Sequence, residues 1–300
     1  MKLSNNTLRE AIAMLLFILP YFYSFGQTSP EQEIEQYAQN ISGNVGVYAL
    51  LIETGETVSY QADQRFPMQS VYKFPIAMAV LDQVDKGKLS LDQVIQVLPS
   101  DYIPEQGYSP IREKFPKGVE LTIRELLDYT IRSDGSASDV LLKTVGGAEA
   151  ADQYVSNLGI GDEDMAIALP EKIQVANDTI QYQNYSTPRA MTELLKTFCV
   201  DSVLSEASQA LLFQDMIDSK TGLGRIKGLL PKGTIVAHKT GTSATYNGLT
   251  RATNDAGIIV LPNGNHLAIS VFVSDSYASD KERDRIIANV AKAVFDYWRN

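Results

Sequence analysis

Gln69-Ser70-Val71-Tyr72-Lys73-Phe74-Pro75 opens a run, Phe74 to Lys86 (FPIAMAVLDQVDK), whose apolar residues recur at helical spacing. Ser70 and Lys73 therefore share one face of a helix's first turn. That sets the Ser70 hydroxyl beside an amine able to take its proton, at the electropositive end of the helix dipole. A serine can become nucleophilic here with no histidine nearby. Average composition gives roughly one Ser-x-x-Lys by chance in a chain this long, so its weight comes from what surrounds it.

Upstream, Val45 to Ile52 (VGVYALLI) is rich in strand formers, Glu53 to Glu56 is a turn, and Thr57 to Tyr60 returns as a hairpin. Downstream, helical patterns dominate to about Phe213: Leu121 to Ile131 with Thr122 as a cap, Ser138 to Val145, and Thr187 to Val200, which opens on a cap followed by proline. Strands then resume at Thr234 to Lys239, Asn254 to Leu261 and His266 to Val273, the last two joined by the turn Pro262-Asn263-Gly264-Asn265. A C-terminal helix carries the stripe Ile286, Ile287, Val290, Val294 and Trp298. This order predicts an α/β protein with one antiparallel sheet of about five strands, built from both ends of the chain and flanked by helices. An all-α lobe (about 65–217) is inserted into the α/β lobe (about 27–64 plus 218–300), with a site in the cleft between them.

Residues 1–26 read as a secretory signal. Lys2 and Arg9 give a basic start, Ala11 to Tyr23 is mostly apolar, and Ser24-Phe25-Gly26 offers small residues for cleavage before Gln27. The apolar run falls short of the roughly 20 residues that span a membrane. The expectation is an exported, periplasmic protein, residues 27–300, without a membrane anchor. Beyond residue 26 the chain has 24 basic and 35 acidic side chains, a net charge of −11. That argues against nucleic acid or anionic lipid as a partner. Cys199 is the only cysteine, so neither an intramolecular disulfide nor a thiolate metal site forms. With only His238 and His266, a histidine-rich zinc site is improbable too. No metal or cofactor is expected. His238, beside Lys239 on a strand, should point away from it.

Two further motifs follow Ser70: Ser133-Asp134-Gly135 after a helix, and Lys239-Thr240-Gly241-Thr242-Ser243 at the end of a β-branched run. A second Lys-Thr-Gly, Lys220-Thr221-Gly222, sits in a glycine-rich loop and reads as surface. Ser-x-x-Lys, Ser-Asp-Asn and Lys-Thr-Gly together are the signature of serine β-lactamases and penicillin-binding proteins. From Phe66 onward the chain resembles a class A serine β-lactamase, and most resembles the divergent PER-type extended-spectrum subgroup. The stretches that carry this are QSVYKFP (69–75), YSPI (108–111), TIRELLDYTIRSDGSASD (122–139), QYQNYSTP (181–188), RIKGLLPKGTIVAHKTGTS (225–243) and ATNDAGIIVLPNG (252–264).

The resemblance implies the two-lobe β-lactamase/DD-peptidase fold and a monomer acting on small-molecule β-lactams. Ser70 attacks the lactam carbonyl, with backbone N–H groups of Ser70 and Thr242 as the oxyanion hole. Lys73 takes part in proton transfer, and Ser133 passes a proton to the departing nitrogen. Lys239, Thr240, Gly241, Thr242 and Ser243 line the site for the substrate carboxylate, and Tyr108 stacks at the cleft mouth. In the loop Met165 to Gln183, Glu171 takes the place of the general base that activates the deacylating water. Glu163, in an acidic run, is the weaker candidate.

Three positions depart from the family pattern. Gly135 replaces the asparagine of Ser-Asp-Asn, and Val175 replaces a residue that often helps hold the hydrolytic water. Ala256 stands where arginine is common, so the carboxylate-binding guanidinium is assigned to Arg225. Gln69 and Asp139 are expected to hydrogen-bond to each other and redirect the Glu171 loop. Two other readings stay open on sequence: a penicillin-sensitive D-alanyl-D-alanine peptidase, which lacks a deacylating carboxylate, and a sensor that keeps the cleft without turnover.

Overall fold

A computed structural model describes residues 29–299. The expected signal segment, residues 1–26, lies outside the described residues.

The two expected N-terminal strands form at Asn44–Leu51 (β1) and Thr57–Tyr60 (β2), and three more at Val236–Thr242 (β3), Leu249–Val260 (β4) and His266–Ser276 (β5). They pair antiparallel in the order β2-β1-β5-β4-β3, and the short strand Thr245–Tyr246 folds back on β4. Both chain ends thus supply one sheet, because β1 pairs with β5 in the register Val47↔Val271. β3 begins two residues later than expected and runs on through Lys239-Thr240-Gly241-Thr242, so the whole motif is edge strand.

The alternation of side chains explains why these strands read as continuous apolar runs. Val45, Val47, Ala49 and Leu51 of β1, with Leu267, Ile269, Val271 and Val273 of β5, pack on Ile34 of the first helix (Pro30–Gln39) and on Ile287, Val290 and Val294 of the last (Asp280–Trp298). The intervening Ala268 and Phe272 face the opposite way, into a core shared with Phe66, Tyr72, Phe74 and Phe198. Both faces are buried, so neither needs polar residues.

Local signals set the helices of the middle segment. Thr122 caps Ile123–Ile131 in a reciprocal arrangement with Glu125, Asp134 caps Gly135–Thr144, and Thr187 caps Pro188–Val200 with proline in its first turn. The nucleophile segment begins as a tight 3₁₀ turn, Gln69–Tyr72, that runs into the helix Lys73–Asp85. Among the described residues no helix is long and apolar enough to cross a membrane.

Candidate active site

β3 runs against the turn that carries Ser70. A Cβ on Gly241 would lie 2.5 Å from the Met68 carbonyl oxygen and 3.1 Å from the Ser70 nitrogen, so only glycine lets the strand approach this closely. Asn254 of β4 pins the same turn by donating to the Pro67 carbonyl at 2.7 Å. Gln69 and Ser133, on either side of the cleft, both adopt left-handed backbone (φ 47° and 76°). Such strained positions cluster where a site is held by its surroundings.

The cleft, about 550 Å³, is lined by Ser70, Ser133, Glu171, Thr242 and the exposed rings of Tyr108 and Tyr246. Lys73 lies at its floor, fully buried. Its Nζ donates to Ser70 Oγ at 2.9 Å and to the Ser133 carbonyl at 3.0 Å, and lies 3.2 Å from Glu171 Oε2. One amine therefore joins the candidate nucleophile to the candidate base. Glu171 also accepts from the Tyr72 hydroxyl at 3.2 Å. Burial, then the carboxylates of Glu171 and Asp139, push that phenol well above its usual range, which keeps its proton on oxygen as a donor. Glu163 is exposed and takes no part in the cleft.

Across the cleft, Lys239 Nζ donates to Ser133 Oγ at 2.6 Å. Burial, and next the Lys73 ammonium, hold the Lys239 pKa well below the ordinary lysine range. Arg225, 7% exposed, donates to Thr242 Oγ1 at 2.7 Å and to the Gly241 and Asn254 carbonyls, and is steadied by Asp284 at 2.7 Å. Its guanidinium thus reaches the end of β3, while Ala256 in the common arginine position is buried. Arg225 lines the cleft, and Lys73 and Lys239 are buried behind it with their amines on the cleft residues Ser70 and Ser133, a basic cluster suited to an anionic ligand in an otherwise acidic protein.

The expected bond between Gln69 and Asp139 does not form. Gln69 Nε2 donates to Gln181, and the Asp139 carboxylate accepts the backbone N–H groups of Glu171 (2.6 Å) and Lys172 (2.8 Å). Each holds the Glu171 loop at a different point, because the first turn of Glu171–Ala176 offers Asp139 two free donors that an amide cannot match. Burial outweighs those bonds and raises the Asp139 pKa to about 7, with the Glu171 carboxylate adding to the shift. Ser243 lines the cleft, yet its hydroxyl is taken up by the chain: it accepts the N–H groups of Arg251 and Ala252 and donates to the Ala244 carbonyl.

Lys220 is exposed, as its loop suggests, but the residues after it line the cleft. Thr240 Oγ1 donates to Thr221 Oγ1 at 2.8 Å, which couples the second Lys-Thr-Gly to the first. No local signal marks Tyr72, Gln181 and Asn254, whose partners lie 99, 112 and 187 residues away along the chain, and the glycine-rich loop masks Thr221. His238 does point away from Lys239: it is fully buried, and its Nδ1 lies 2.9 Å from both Asp255 oxygens. Burial pushes the Cys199 thiol up to about 12, consistent with an inert packing role. Among the described residues no cluster of three or more His, Cys, Asp or Glu side chains could hold a metal ion.

A model of the β-lactamase enzyme family matches residues 29–298. β-Lactamase VEB-1 of Pseudomonas aeruginosa is 40% identical, over 97% of this chain and 98% of the relative. The extended-spectrum β-lactamase PER-1 of the same organism is 38% identical, over 97% and 96%. The crystal structure of a β-lactamase from Chitinophaga pinensis DSM 2588 superposes with a TM-score of 0.86 at 45% identity, over 89% of this chain and 98% of that one.

Proposed function

This chain belongs to the β-lactamase enzyme family, in class A, and from that premise we propose that it opens the β-lactam ring of penicillins and cephalosporins through an acyl-enzyme on Ser70 that Glu171-activated water releases. The observation that carries the reading is the position of Lys73 Nζ, 2.9 Å from Ser70 Oγ and 3.2 Å from Glu171 Oε2. A penicillin-sensitive peptidase has no use for the carboxylate, and a sensor has no use for the pair.

In acylation the Lys73 ammonium first passes a proton to Glu171, and the Ser70 oxygen bonds to the lactam carbonyl carbon as its own proton passes to the resulting amine. Negative charge on the carbonyl oxygen meets the backbone N–H groups of Ser70 and Thr242. The ring C–N bond then breaks, and the nitrogen takes the Ser133 hydroxyl proton. Once Lys73 has resupplied Ser133, the proton on Glu171 returns to Lys73. Lys239, Thr240, Thr242 and Arg225 hold the substrate carboxylate, and Tyr108 covers the cleft mouth. In deacylation Glu171 accepts a proton from water as the water oxygen attacks the ester carbon, and Ser70 leaves with a proton returned to it.

The basic, then apolar, N-terminal stretch supports export with cleavage near Gln27, and hence a periplasmic enzyme that confers β-lactam resistance. The 38% identity to the extended-spectrum β-lactamase PER-1 supports an extended-spectrum activity. Intact-protein mass spectra after addition of a cephalosporin test the mechanism. Wild type returns to its free mass as drug is consumed, while Glu171→Ala retains a covalent adduct. A wild type that stays acylated would reject the hydrolytic reading.

A further inference from the structure

Gly135 leaves room for a side chain that belongs elsewhere. A Cβ built on Gly135 would lie 2.5 Å from Ile103 Cδ1, 2.9 Å from Glu171 Cγ and 3.3 Å from Glu171 Cδ. On the other side, a Cβ on Gly107 would lie 2.4 Å from the same Ile103 Cδ1 and 3.0 Å from Val175 Cγ2. The tip of Ile103 therefore sits between two residues without side chains, with Glu171 and Val175 at its flanks. Neither glycine has a positive φ, so backbone freedom does not explain either of them.

Ile103 cannot retreat. It is 2% exposed, its N–H donates to Ser136 Oγ at 3.1 Å, and its carbonyl accepts from Arg112 Nη1 at 2.9 Å. The same guanidinium holds the carbonyls of Pro104 and Gly107, and Gly135 N–H donates to the Tyr108 carbonyl at 3.0 Å. The 103–108 loop and the start of Gly135–Thr144 are thus one rigid wall.

We infer that Ile103 is a positioning residue for deacylation: an apolar wedge, seated on Gly107 and Gly135, that holds the Glu171 side chain toward Lys73 and Tyr72. The inference rests on the reading of Glu171 as the deacylating base. Gly135 is then a requirement of this wedge, and restoring the family's asparagine displaces the base.

The test compares Gly135→Ala, Gly135→Asn, Ile103→Val, both double variants and Glu171→Gln, each as the full mature enzyme. Acylation and deacylation rates come from intact mass spectra with one cephalosporin, and folding from thermal unfolding. Displacing a reacting group by about 1 Å costs on the order of 100-fold. Gly135→Asn is expected to acylate within a few-fold of wild type yet deacylate about 10- to 100-fold more slowly, with Gly135→Ala between. Ile103→Val removes the colliding Cδ1 atom. Alone it loosens the hold on Glu171 and slows deacylation about 3- to 10-fold, and a loss under about twofold would overturn the inference. Added to Gly135→Ala, whose methyl fills the vacated space, it restores deacylation at least about fivefold over Gly135→Ala alone. Folded Gly135 variants that deacylate within twofold of wild type would overturn the inference, and so would losses in the double variants equal to the product of the singles. Glu171→Gln separates the two readings. If it turns over normally, the base assignment fails; if it traps the adduct while Gly135→Asn does not, the wedge alone fails.

Discussion

The Asp139 carboxylate accepts the backbone N–H of Glu171 at 2.6 Å, so the residue proposed to activate water is held by its main chain as well as its side chain. Lys172 N–H donates to the second oxygen at 2.8 Å. A small helix whose first turn would otherwise leave donors unpaired is anchored to the helix Gly135–Thr144.

That anchor makes stability depend on pH in a defined direction. Asp139 has a pKa of about 7 in the fold against an ordinary value of 3.8. Between those values the folded protein holds a proton that the unfolded chain has lost, so this residue's contribution is fullest below 3.8 and is lost as pH rises through about 7. Asp139→Asn removes the titration. Thermal unfolding of both proteins from pH 4 to 8 should show wild type losing ground steadily to the variant, and a constant gap would contradict it.

Because Gln69 bonds to Gln181 and not to Asp139, the two loop anchors should act independently. In a double-mutant cycle of Gln69→Ala with Asp139→Asn, urea unfolding should give a coupling below about 0.5 kcal/mol. A coupling above about 1 kcal/mol would restore the direct bond.

Lys239 should serve binding at the expense of stability. Its pKa is depressed by burial, so the unfolded chain binds the extra proton, and stability rises with pH through the window below 10.5. Lys239→Met abolishes that rise. Loss of a charge-assisted bond of about 1.5–3 kcal/mol should lower kcat/KM about 10- to 150-fold. Steady-state kinetics and unfolding from pH 7 to 10 check the two halves separately.

Arg225 makes four hydrogen bonds through a planar fork. Arg225→Ala should raise KM for carboxylate-bearing drugs roughly 10- to 100-fold with a smaller change in kcat, the pattern of lost uniform binding. Arg225→Lys should not rescue it, since an ammonium cannot reproduce the fork. Rescue by lysine would show that charge alone suffices.

Asp255 is fully buried, pairs with His238 and also accepts the Ile226 N–H at 3.1 Å. Asp255→Ala leaves the buried His238 Nδ1 and Ile226 N–H without their acceptor, so it should cost about 1–3 kcal/mol for each stranded group. Denaturant titration checks it, and a loss under about 1 kcal/mol would mean that the pair is dispensable.

Much of this was legible because it is local. Ser70 and Lys73 are three residues apart in a turn, so their contact needs only helical geometry. Thr122 and Thr187 announce their helices by side-chain chemistry, and Pro262 to Asn265 announces its hairpin, where Gly264 takes φ 88°. The alternation in β5 marks two buried faces. The family motifs extended this reading to Ser133 and Glu171, which line one cleft, and to Lys239, whose Nζ donates to Ser133 Oγ.

The amino-acid order by itself determined the elements, their caps, the pairing of the chain's two ends and the residue types available for catalysis. Tertiary packing alone decided which of several competent partners each side chain took: Gln181 for Gln69, two backbone N–H groups for Asp139, the chain's own amides for Ser243, and Ile103 for the space above Gly135. The physical reason is that propensity and capping act within a few residues. Choices among equivalent donors and acceptors turn on fractions of an ångström between segments brought together only when the two cores close.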